Sequence, residues 1–84
     1  MITEEKKSII YKTSVGKIQV SMFYSNHSKC WVVQGSRYGI LECGGSSITS
    51  TIKGTIKNYI EKNNLQIKGK ITHSIYGMYS VEVQ

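Results

Sequence analysis

Apolar and polar side chains alternate from Ser8 to Cys43, and no other feature of this chain restricts its fold so tightly. Successive side chains on a strand point to opposite faces, so any proposed pairing can be tested against the pattern. Gln34-Gly35-Ser36-Arg37 reads as a hairpin turn with glycine in the position a type II′ turn prefers. That turn sets Trp31 opposite Ile40 and Val33 opposite Tyr38. A loop at Ser25-Asn26-His27-Ser28 then sets Met22 opposite Trp31, and a turn at Val15-Gly16 sets Tyr11 opposite Val20.

Together these loops collect Ile9, Tyr11, Ile18, Val20, Met22, Tyr24, Trp31, Val33, Tyr38 and Ile40 on one face. A slip of one residue would mix them with lysines. The other face holds Lys12, Lys17, Gln19, Ser21, Gln34 and Arg37, interspersed with Ile10, Phe23, Cys30, Val32, Leu41 and Cys43. The expectation is a four-strand antiparallel meander at roughly 8–14, 17–25, 29–34 and 37–43.

Cys43-Gly44-Gly45-Ser46-Ser47 breaks the alternation, and either serine can cap a helix. Ile48, Ile52, Ile56 and Ile60 recur every fourth residue, with Lys53, Lys57 and Glu61 across the axis, so a helix is expected over 48–63. The even spacing also suits a strand, but sixteen residues without a turn is too long for one. Asn63 or Asn64 can take the left-handed cap. Residues 65–84 read as a hairpin turning at Tyr76-Gly77-Met78, which sets Ile75 against Tyr79 and His73 against Val81.

The fold class is therefore α+β: an antiparallel sheet in the order ββββαββ with the helix packed on one face. Residues 1–7 are expected to form a flexible tail and residues 8–84 a single domain. A chain of 84 residues buries only about 60–65% of its extended surface, and a homodimer would enlarge that core. The longest apolar run is far short of a membrane span, and Met1–Lys7 lacks a signal core, which points to a cytoplasmic protein away from membranes.

No catalytic motif is present. Glu42 and Glu82 stand alone among lysines, and no residue pattern marks an oxyanion hole or pairs Cys43 with a histidine. A non-enzymatic protein without cofactor is expected. His27-x-x-Cys30, with Cys43 and His73, has the residue types of a zinc site but only one short-spaced pair. No metal is assigned. The thiols read as ordinary reduced cysteines rather than a Cys30–Cys43 disulfide. Gly44-Gly45-Ser46-Ser47 lacks the lysine and glycine spacing of a phosphate-binding loop.

Charge gives the functional direction. Ten lysines and one arginine against five glutamates leave a net charge of +6, which favours anionic partners, nucleic acid first. Lysine is a point charge rather than a base-reading fork, so contacts to the phosphate backbone with little sequence specificity are expected. Lys12, Lys17, Gln19, Phe23 and Arg37 share a face and combine charge with a ring for stacking. Four antiparallel strands followed by a helix resembles the layout of the Whirly and positive-cofactor class of single-strand-binding domains. The likeness is one of topology without a shared motif, and the last hairpin departs from it.

The alternative is a protein-binding inhibitor or regulator of the phage, virus or mobile-element type. The chain has no Ala, Asp or Pro and abundant Ile, Lys, Asn, Ser and Tyr, the usage of an AT-rich genome. Its contact would be a sheet edge or the apolar residues Val32, Leu41 and Tyr76.

Overall fold

The computed structural model describes residues 7–38, 46–73 and 77–84. The elements in chain order are β1 (Lys7–Thr13), β2 (Gly16–Ser25), β3 (Cys30–Arg37), α1 (Ser46–Lys62), β4 (Thr72–His73) and β5 (Tyr79–Val83). The strands form one antiparallel sheet in the order β1-β2-β3-β5-β4, and α1 packs on β2 and β3. The class is the α+β fold expected, an antiparallel sheet with a helix on one face. Lys7 belongs to β1 rather than to the tail, and residues 1–6 lie outside the described residues.

One difference reorganises the sheet. Gln34–Arg37 is not a turn: β3 runs straight through it, with Ile18↔Arg37 and Val20↔Gly35 paired on one side and Gln34↔Ser80 and Gly35↔Tyr79 on the other. The place expected for a fourth meander strand is therefore taken by β5. Residues 39–43, most of that expected strand, lie outside the described residues. Among the described residues the meander has three strands, and the C-terminal segment continues the sheet.

The remaining registers differ from expectation by two residues. Tyr11 pairs with Ile18 because the first turn is Ser14-Val15. There the Thr13 hydroxyl donates to the Gly16 carbonyl at 2.6 Å, and Gly16 takes a φ of 111°. Met22 pairs with Val33 because the second loop is 26–29, with Lys29 left-handed at φ 56°. His73 pairs with Tyr79 rather than Val81, and Ile75 lies outside the described residues. A two-residue slip leaves every side chain on its face, so the division into faces survives.

The core lies between sheet and helix: Ile18, Val20, Val33, Tyr79, Val81 and Val83 from the strands meet Ile52, Ile56, Tyr59 and Ile60 from α1. Tyr11, Met22, Trp31, Ile48, Leu65 and Ile71 pack around its margin. Ile18, Val20, Val33 and Ile56 are fully buried, each contributing about 1.5–3 kcal/mol of transfer free energy.

The isoleucine ladder makes α1 amphipathic, and two of its three threonines are accommodated by bonds to the preceding turn. Thr51 Oγ1 donates to the Ser47 carbonyl and Thr55 Oγ1 to the Thr51 carbonyl, which satisfies the buried Thr55 hydroxyl. The helix ends in a Schellman motif. Leu65 N donates to the Ile60 carbonyl and Asn64 N to the Glu61 carbonyl, with Asn64 left-handed at φ 56°. Lys62 in the last turn complements the helix dipole.

Candidate nucleic-acid interface

The helix covers one face of the sheet. The registers fix the other, outer face in rows that run across the strands. Lys12 stands directly opposite Lys17, and both are exposed. The next row is Ile10, Gln19 and Ser36. Ser8, Ser21, Gln34, Ser80 and Thr72 then form an unbroken row across all five strands. Beyond it lie Phe23, Val32 and Glu82, and last Ser25 and Cys30.

Four of the five residues expected to bind nucleic acid share this face, and Arg37 does not. Arg37 pairs with Ile18, which points to the helix, so Arg37 is on the helix side. A Cβ on Gly16 would sit 3.4 Å from its Nε, which puts the guanidinium over the first turn. The side that Arg37 takes follows from the continuity of β3: a turn at 34–37 would invert the side-chain parity that a continuous strand keeps. Tyr38, expected in the core, is 49% exposed at the strand end for the same reason.

Phe23 is half-buried and six residues from Lys17 along β2, roughly 20 Å at about 3.3 Å per residue. The ring and the lysine pair thus occupy opposite ends of the face. Gln19 Nε2 donates to Ser8 Oγ at 2.8 Å, holding the amide across β1.

Further lysines flank this face. Lys68 and Lys70 line a recess of ≈ 470 Å³ on the outer face, with Val32, Gln34, Thr72, Ser80 and Glu82. On the other side of the same segment, Lys53, Lys57 and Lys70 line a shallower hollow with Ile67, Gly69 and Ile71. The signal for them was present as Lys-Gly-Lys and as Lys53 and Lys57 one helical turn apart. Only the tertiary fold brings the two together.

The residues weighed as metal ligands do not gather among the described residues, where no three His, Cys, Asp or Glu come together. Cys30 is buried, with its Sγ donating to Ser28 Oγ at 3.5 Å. His27 is exposed in a loop. His73, also exposed, lies edge-on to Tyr79 at 4.4 Å. Cys43 is outside the described residues. So are two residues of the expected protein-binding patch, Leu41 and Tyr76. The third, Val32, is only 8% exposed and offers a partner little surface. Among the described residues no helix is long and apolar enough to cross a membrane.

No family model, curated protein or solved structure matches the chain.

Proposed function

We propose that this chain is a non-enzymatic binder of nucleic acid that grips the phosphate backbone across the outer sheet face with little sequence preference. The observation that carries the reading is the Lys12–Lys17 pair, directly opposite on neighbouring strands. Like charges in that position destabilise a sheet, and a bound polyanion relieves the repulsion. A net charge of +6 and the polar row running from Ser8 to Thr72 extend the same surface toward Lys68 and Lys70. The sheet is about 19 Å wide from β1 to β4 at ~4.8 Å per strand step.

A salt series of oligonucleotide binding tests it. Log affinity should fall linearly with log salt, and Lys12→Ala or Lys17→Ala should reduce the slope by about 0.7–0.9, one phosphate contact each. Absent or salt-insensitive binding rejects the reading.

One observation favours a protein-binding regulator as the second reading. Among the described residues β1 is an edge strand, and Ile9 and Ile10 are each 45% exposed on its two faces. Such an edge suits strand addition by a partner, a second copy of this chain included. A complex that survives nuclease and high salt, or a dimer mass in solution, would support it. A monomer that retains no protein partner under those conditions counts against it.

A further inference from the structure

We propose that the recess on the outer face of β3, β5 and β4 receives one nucleotide of the bound nucleic acid and favours a base that presents an amino group. The inference rests on the nucleic-acid reading above and adds a local base preference to it.

The recess is built by a bulge. Ile67 bridges to Val83 and Thr72 pairs with Ser80. Between those points four residues, Lys68 to Ile71, face only two, Val81 and Glu82. Two surplus residues bow the segment away from β5, the kind of irregularity that re-aims side chains beside binding sites. The bow carries Lys68, Gly69 and Lys70, and its base is held where Lys68 N donates to the Glu82 carbonyl at 2.8 Å. A recess of ≈ 470 Å³ lies within the ~300–1,000 Å³ of small-ligand clefts.

Its lining divides by chemistry. Lys68 and Lys70 on the bow suit a phosphate. Val32, only 8% exposed, closes the floor between them. Beside Val32, directly across from it, stands Glu82, and the adjoining pair is Gln34 and Ser80. A carboxylate opposes the binding of an anion unless the ligand also brings it a donor. The amino group of cytosine is such a donor, whereas the keto oxygen of thymine at the same place sets acceptor against acceptor. Glu82 therefore selects between bases while the lysines hold the backbone.

Binding of oligo(dC) and oligo(dT) of equal length, at neutral pH and fixed salt, tests this, because the two differ at the edge that Glu82 would read. The intact chain should bind oligo(dC) about fivefold or more tightly. Glu82→Gln should bring the ratio close to one, since an amide both donates and accepts. Glu82 is exposed on the strand, so the variant should fold, and an unchanged melting curve checks that. Lys68→Ala with Lys70→Ala should weaken both oligonucleotides. Equal binding of the two by the intact chain, or a preference that persists in Glu82→Gln, overturns the base recess while leaving the backbone reading standing. Binding of neither overturns both.

Discussion

Gly35 lies directly beneath Ile56. A Cβ placed on the glycine would come within 2.7 Å of Ile56 Cγ1 and 2.9 Å of its Cδ1, with Ile52 Cγ2 at 3.5 Å. Gly35 sits within β3, between Val20 and Tyr79, on the face that α1 covers. Its lack of a side chain is what lets the isoleucine ladder settle onto the strands. Gly35→Ala should therefore destabilise the protein by about 1–3 kcal/mol, the range for forcing a methyl into a packed core. Gly54→Ala is the matched control. It meets nothing within 4 Å on the exposed side of α1, so it should stabilise by about 0.5–1 kcal/mol through helix propensity. Chemical denaturation of both variants checks the opposite signs.

The same glycine explains how much of the fold was legible. Gly35 beside Gln34, Ser36 and Arg37 looks like a turn when only local chemistry is weighed. A glycine that admits a helix and a glycine that bends a chain leave one signature. Taking it for a bend misplaced Arg37 and replaced β5 with a fourth meander strand. The two faces around Val20, Val33, Lys17 and Phe23 were nevertheless readable, because alternation fixes parity even where a loop is placed two residues off. The Lys68–Lys70 recess was not readable. It depends on β5 inserting beside β3 and on a bulge in segment 67–72, both set by long-range pairing.

Lys12 and Lys17 should show opposite effects on stability and binding. Replacing Lys12 with Gln removes a directly opposed like charge. At low salt this should raise stability by about 0.2–0.5 kcal/mol, the modest scale of exposed cross-strand pairs. The gain should fade as added salt screens the pair. Oligonucleotide affinity should fall in the same variant. Thermal melts at two salt concentrations, set beside binding curves, report both signs. A loss of stability at low salt would show that the lysines do not repel.

Tyr59 links the core to alkaline pH. Burial holds its phenol above the usual tyrosine range, and the nearby Tyr11 phenol adds to the rise. The folded state thus keeps the proton more tightly than the unfolded chain. The associated stability is fully present below the unfolded pKa of about 10. It is lost as pH rises through the higher folded value, because the unfolded chain ionises first. Stability should decline with pH above about 10, and Tyr59→Phe should flatten that decline while changing little at neutral pH. Urea midpoints measured across the alkaline range would reveal it. An unchanged slope in the variant would assign the decline to other groups.

Tyr79 ties the sheet to the start of the helix through a polar contact inside an apolar setting. Its hydroxyl lies 2.8 Å from Thr49 Oγ1. The tyrosine is 3% exposed and its ring meets His73 edge-on at 67°. A hydrogen bond of this kind contributes about 0.5–1.5 kcal/mol net, and a partner left unmatched in a part-buried site costs on a similar scale. Tyr79→Phe and Thr49→Val should each destabilise by roughly 1 kcal/mol, about 4–8 °C in melting temperature for a chain of this size. The double variant should cost little more than either alone, because once one hydroxyl is gone the other has nothing left to lose. Strict additivity in that cycle would mean that the two hydroxyls act independently and that α1 is held to β5 by packing alone.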